Sequence, residues 1–157
     1  MKKKIVALVL VLLIAVGICG CSEKVSEKSF EGSGFTITLT DAFTEMQYAP
    51  YTVCYASSNA SVFVLKEDFE SVGDSEMTVQ EYADAAIKTN ELDCEVISED
   101  GVTYFVFESN LSDGSYTYLA AAYKGSDAYW LVQFACSTEQ YESMKPELLK
   151  YAQSVKV

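Results

Sequence analysis

The chain of 157 residues contains no histidine and no arginine. Without histidine there is no Ser-His-Asp or Cys-His nucleophilic arrangement, no His-ligated zinc and no imidazole acid/base catalysis, which removes most hydrolase chemistries. Without arginine, and with 11 lysines against 23 carboxylates, clustered positive charge that could displace counterions from phosphate is missing, which argues against nucleic acid as a partner. A glycine-rich phosphate loop, a Cys-x-x-Cys pair and an internal repeat are also absent. No apolar run reaches the roughly 20 residues that span a bilayer.

One shorter apolar run does stand at the N-terminus. Lys2, Lys3 and Lys4 precede Ile5 to Ile18, an uninterrupted apolar stretch, and polar residues begin at Ser22 with no basic stop-transfer cluster. That layout is a cleavable export signal over residues 1–20. The junction Ile18-Cys19-Gly20-Cys21 resembles the lipobox of bacterial lipoproteins, which implies a diacylglyceryl group on Cys21. Two acyl chains, at about 0.8 kcal/mol per buried methylene, suffice for stable anchoring. The expected address is therefore the outer face of the cell membrane. Residues 21–34, rich in serine and charge with no apolar periodicity, are expected to be a solvated tether.

Removal of residues 1–20 leaves enough chain for one domain, expected over 35–157. All 23 carboxylates and 8 of the 11 lysines remain, a formal net charge of −15. Such a domain is repelled from anionic lipid, so its membrane partner is reached through the acyl chains of Cys21 alone. Beyond Cys21 stand Cys54, Cys94 and Cys136. They allow one disulfide in any of three pairings, and buried free thiols are the alternative.

Within the domain, Phe35, Ile37 and Leu39 alternate with threonines, the period-two mark of a half-buried strand. Tyr51 to Ser57 and Ser61 to Glu67 read as a hairpin, and the acidic stretch Asp68 to Met77 as a loop. Thr78 with Glu81 forms a capping box opening a helix to about Asn90, its apolar face carrying Val79, Tyr82, Ala83, Ala86 and Ile87. Asp100-Gly101 and Asp113-Gly114 mark turns in a meander that runs through Ser115–Tyr123 and Ala128–Cys136. Ser137 with Gln140 predicts a second capping box, and the helix beyond it carries Pro146 in its interior, where a kink or a late start is expected. The fold class is α+β, an antiparallel sheet covered by two helices.

The segments Gly34-Phe35-Thr36-Ile37-Thr38-Leu39, Ala128-Tyr129-Trp130-Leu131-Val132-Gln133-Phe134 and Ser154-Val155-Lys156-Val157 together resemble the PsbP-like α/β/α sandwich. Photosystem II extrinsic proteins, a Ran-GTPase-binding transport factor and small bacterial lipoproteins share it. Thr40-Asp41 stands where that family has Pro-Asp or Pro-Glu. The resemblance implies a binding scaffold with no catalytic residue to transfer and no cofactor.

Three chemistries are left to weigh. Eleven tyrosines and one tryptophan are present, and Tyr116, Tyr118 and Tyr129, with Trp130, are the candidates for an aromatic ligand-binding sheet face; the alternative is that they pack beneath the helices. Glu67, Asp68, Glu70, Asp74 and Glu76 follow no EF-hand spacing, and no metal site is assigned to them. Paired carboxylates could serve an envelope enzyme, and the odd cysteine could serve a thiol or redox role. The leading expectation is a non-catalytic lipid-anchored binding or assembly module whose partner is a protein or a small molecule.

Overall fold

The computed structural model describes residues 25–157. The expected export signal and Cys21 lie outside the described residues, and no helix among the latter is long and apolar enough to cross a membrane.

The first element is one the sequence reading assigned to a tether. Strand β1 (Glu27–Gly32) pairs antiparallel with β2 (Phe35–Thr40) in a hairpin whose register sets Phe30 opposite Ile37. Ser33 and Gly34 make its two-residue turn at φ +55° and +86°, the left-handed geometry that matches strand twist. β1 carries only one buried side chain, Phe30, among five exposed residues. It thus has no apolar alternation to read, and β2's backbone supplies its order. The hairpin closes where the Ser26 N–H donates to Asp41 Oδ1 at 3.1 Å and the Asp41 N–H donates to the Ser26 carbonyl at 2.8 Å. The folded unit therefore begins by Ser26, not at residue 35.

The main sheet has seven antiparallel strands in the order β3 (Thr44–Met46), β4 (Val53–Ala56), β5 (Ser61–Asp68), β9 (Ala128–Ser137), β8 (Gly114–Lys124), β7 (Val102–Leu111) and β6 (Ile97–Glu99). The expected Asp100-Gly101 turn is formed, with φ +51° and +80°, between β6 and β7. The non-local event is the pairing of β5 with β9, eight residue pairs from Ser61↔Ala135 to Asp68↔Ala128, which joins the two halves of the chain.

Helix α2 (Val79–Thr89) starts at the capping box expected for it: the Thr78 N–H donates to Glu81 Oε2 at 2.8 Å and the Glu81 N–H to Thr78 Oγ1 at 3.2 Å. Its Tyr82, Ala83, Ala86 and Ile87 pack on Phe105, Ala120, Ala122 and Leu131. A short helix, α1 (Phe69–Val72), occupies part of the stretch expected to be loop. On the opposite sheet face, α3 (Tyr141–Gln153) buries Tyr141, Leu148, Tyr151 and Ala152 against a core that includes Trp130, Val132, Phe134 and the Phe35, Ile37 and Leu39 row of β2. The cover is therefore not two helices alone, because the hairpin shares that face with α3.

The second expected capping box is not formed. Ser137 makes no side-chain cap; a single 3-10 turn (Thr138–Gln140) comes first, and Thr138 Oγ1 instead accepts from the Thr117 hydroxyl at 3.0 Å. α3 continues through Pro146, held by buried residues on both sides of it. The C-terminus locks the hairpin in place. Thr36 and Lys156 exchange backbone hydrogen bonds at 2.9 and 3.0 Å, and Ser154 Oγ accepts from the Thr38 N–H at 3.0 Å.

Candidate functional site

Side chains alternate across a strand, so the α2 face of β9 carries Tyr129, Leu131, Gln133 and Ala135, and its α3 face carries Trp130, Val132, Phe134 and Cys136. This parity separates the four aromatic candidates. Trp130 belongs to the α3 core, stacked on Phe35 at 5.8 Å with Lys66 Nζ 5.5 Å from its ring. Tyr116, Tyr118 and Tyr129 share the α2 face, but they do not form one open surface.

Tyr129 is sealed under the start of α2. It stacks on Tyr82 at 4.7 Å, meets Phe69 edge-on at 4.9 Å, and donates its hydroxyl to the Met77 carbonyl at 3.0 Å. Beside it the Tyr82 hydroxyl donates to Glu67 Oε2 at 2.5 Å in a fully enclosed setting. Burial and the adjoining Glu67 carboxylate push the Tyr82 phenol far above its ordinary pKa. This cluster is structural: a buried carboxylate is tolerated where a strong donor meets it.

Away from α2 the same face holds a different group. Tyr118 stacks flat on Phe107 at 4.8 Å, and Tyr51 lies over Phe63 at 5.1 Å. Gln133 stands between them, opposite Phe63 on one side and the small Ala120 on the other. Tyr118 and Gln133 are only 3% and 1% exposed; the Gln133 amide meets the Tyr51 phenol, while Tyr118 Oη has no hydrogen-bond partner. Burial, reinforced by Tyr118 and Cys54 and opposed by the Gln133 amide, raises the Tyr51 phenol. Tyr116, half-buried at the end of this face, lines a cavity of about 240 Å³ with Asp113, Gly114, Ser115, Ser137 and Thr138.

Tyr116 and Tyr118, named from the sequence, lie on this face together with Gln133 and Tyr51, which were not named from it. Gln133 did leave a signal. It is the one polar side chain between Ala128 and Cys136, and a polar residue in the middle of a buried strand needs either a partner or a role.

A larger groove, about 670 Å³, runs between the hairpin and α3 and is lined by Glu27, Thr38, Thr40, Glu147, Lys150 and Tyr151 among others. Its charges are satisfied internally: Lys150 Nζ pairs with Glu27 Oε1 at 2.6 Å, and the Tyr151 hydroxyl donates to Glu147.

Among the described residues the cysteines do not pair. Cys54 and Cys136 are buried on opposite faces of the sheet, and Cys94 precedes β6 at the edge remote from β4. Burial raises all three thiols, Cys54 to about 11, whereas a redox thiol needs a lowered value and access. Alkylation by iodoacetamide at pH 8 is accordingly expected to leave Cys54 and Cys136 intact in the native protein and to modify Cys94 slowly, with all three reacting in denaturant. Rapid native labelling of Cys54, followed by mass spectrometry, would contradict this placement.

Carboxylates show the complementary pattern. Among the described residues those whose pKa is displaced, Glu27, Glu81 and Asp127, are lowered, by Lys150, by the Thr78 cap and by Lys66 respectively. A general acid requires the opposite shift. Among the described residues no group of three or more acidic or cysteine side chains is placed to hold a metal ion.

No protein-family model and no curated protein matches the sequence. Solved structures do match in three dimensions. The cyanobacterial PsbP of Synechocystis superposes with a TM-score of 0.55 at 13% identity, over 90% of this chain and 98% of that one. The fold is PsbP-like. The PsbP-like architecture is shared with the Ran-binding protein Mog1p of Saccharomyces cerevisiae, at TM-score 0.55 and 11% identity over 85% of this chain and 96% of the yeast protein. A protein of Bacteroides thetaiotaomicron gives 0.53 at 10% identity over 83% of this chain and 48% of its own. At such identities the likeness is one of fold, and function has to be argued from residues.

Proposed function

We propose that this protein is a lipid-anchored, non-catalytic binding or assembly module at the outer face of the bacterial cell membrane, attached through a diacylglyceryl group on Cys21. The observation that carries the reading is the position at which the fold closes. Ser26 is the first hydrogen-bonded residue among those described, and by sequence only Ser22 to Val25 stand between it and Cys21. At about 3.3–3.6 Å per residue the chain between Cys21 and Ser26 can span at most roughly 17 Å. A domain bearing −15 does not approach anionic lipid by itself, so in this reading the acyl chains hold it there and the short separation keeps it close. Two-chain anchoring is strong enough for this.

The binding half of the reading is supported by the PsbP-like scaffold, by the downward displacement of every carboxylate that is shifted, and by aromatic and polar side chains gathered on one sheet face. The described residues carry three helices rather than two, and the hairpin takes part of one face of the sheet.

Expression of the precursor in a bacterium is expected to place the protein in the membrane fraction and in the detergent phase, with a Cys21 peptide heavier by a diacylglyceryl group. Cys21→Ala is expected to shift it wholly to the soluble fraction. Membrane retention unchanged by Cys21→Ala would end the anchoring proposal. Repeated cross-linking in intact envelopes that returned no partner or ligand would end the binding one.

A further inference from the structure

We infer that the cavity between the Asp113-Gly114 turn and the 3-10 turn before α3 is a binding site for a single ring of a neutral sugar. The inference rests on the binding half of the reading above and is independent of the anchor.

The first ground is the space itself. β8 begins at Gly114 and β9 ends at Ser137, so Tyr116 and Ser137 are cross-strand partners at the rim of the sheet, and the 3-10 turn Thr138–Gln140 follows directly. The cavity that these segments line measures about 240 Å³. Sites for drug-sized molecules run from about 300 to 1,000 Å³, so this one admits one ring rather than several.

The second ground is the aromatic surface. Tyr116 is half-buried, its neighbours across the sheet are the small Ser109 and Ser137, and no other ring among the described residues stacks on it. Its hydroxyl donates to Asp113 Oδ2 at 3.3 Å, which fixes the orientation of the ring. Glycine at 114 keeps the approach to it clear, because a Cβ there would stand 3.8 Å from the Tyr116 ring. The C–H face of a sugar ring packs on an oriented tyrosine as other apolar groups do.

The third ground is the hydrogen-bonding set, which selects the class. Asp113 and Glu139 supply carboxylate acceptors and Ser137 and Thr138 supply hydroxyls, and the side chains of Ser137 and Glu139 bond to no other described residue. Thr138 Oγ1 accepts from the Thr117 hydroxyl at 3.0 Å, which leaves its own proton to donate. Sugar hydroxyls donate and accept at once, so they match both kinds of group. An anion would meet the two carboxylates, the −15 of the whole domain and no lysine in the lining. An ammonium has donors only, and it would satisfy the carboxylates but not the hydroxyl protons.

Glucose, galactose, mannose and their methyl glycosides serve as probes, with benzoate and tetramethylammonium as the anionic and cationic comparisons. With the full chain in a sugar-free detergent, saturation-transfer NMR is expected to show at least one sugar above the level that micelles alone produce and above both ions. Tyr116→Ala is expected to reduce that transfer at least about fivefold, whereas Tyr116→Phe keeps the ring and most of the signal. Glu139→Gln, at an exposed position, is expected to weaken the transfer at least about twofold with the melting temperature unchanged. A methyl glycoside that transfers as well as its parent sugar points to the end of a glycan as the source, and loss of transfer on methylation to a free monosaccharide; both support the inference. No sugar above the micelle level, a stronger signal from either ion, or transfer unchanged in Tyr116→Ala or in Glu139→Gln would overturn it. Failure of the sugars alongside a partner captured by cross-linking would leave the binding reading standing, and the Cys21→Ala result bears on neither.

Discussion

Between about pH 10 and 11.5 the protein is expected to lose its fold in one cooperative step driven by its tyrosines. An unfolded tyrosine titrates near 10. In the fold, burial holds the phenols of Tyr51, Tyr82, Tyr104, Tyr123 and Tyr151 above that value, and those of Tyr55 and Tyr141 at about 12. Below pH 10 both states keep these protons, and the full stability is present. Above it the unfolded chain releases protons that the folded chain retains, so stability falls with each further pH increment.

The magnitude follows from two of these groups. Tyr82 is enclosed beside Glu67, and the Tyr123 hydroxyl donates to the Ala152 carbonyl at 2.7 Å. Each contributes a loss of about 1.4 kcal/mol in the first pH unit above the unfolded value, or about 3 kcal/mol together by pH 11. A domain of ordinary stability has about 5–15 kcal/mol in total, and the remaining raised phenols add to the loss. Absorbance at the tyrosinate band and far-ultraviolet circular dichroism are expected to change together. Complete tyrosine ionisation with the circular dichroism intact would contradict the burial described above.

Truncation of a single residue outside the expected domain is the second large effect. Phe30→Ala is expected to destabilise the fold by about 3–5 kcal/mol, the range for removing a buried phenylalanine. Phe30 packs on Tyr55 at 4.7 Å, and Phe35 reaches the same tyrosine at 6.5 Å, so the two phenylalanines seat the hairpin on the sheet. Trp130, the only tryptophan, lies against Phe35 and reports the change by fluorescence during denaturant unfolding. Val25→Ala, at an exposed position just before β1, is expected to leave the midpoint unchanged. A Phe30→Ala midpoint equal to that of wild type would return residues 27–32 to the status of a tether.

That contrast marks where sequence patterns carry information. β2 was legible because Phe35, Ile37 and Leu39 repeat at the strand period, and its neighbour β1 was not, because Phe30 alone is buried there. The capping box at Thr78 was legible and correct, since Thr78 and Glu81 satisfy each other within one turn. The same pattern at Ser137 misled: Ser137 makes no side-chain cap, and a 3-10 turn over Thr138–Gln140 comes before the α-helix. The spacing of a capping box applies where the chain enters an α-turn directly, and a 3-10 first turn changes it.

The candidate site was half legible for a related reason. Two tyrosines spaced by two in β8 put Tyr116 and Tyr118 on one face. Which face lies under α2, and how far along it the helix reaches, depended on packing. Tyr129 fell beneath the helix against Tyr82, and Trp130 faced the other core.

By itself the sequence determined what is local or additive: the missing histidine and arginine, the acidic charge, the strand and helix periods and the Asp100-Gly101 turn. Tertiary structure alone decided the pairing of β5 with β9, the recruitment of β1, the separation of Cys54, Cys94 and Cys136 and the burial of Gln133 beside Tyr51 and Tyr118. Each of these depends on contacts between residues far apart in the chain. Their free energy comes from burial that no short window of sequence contains.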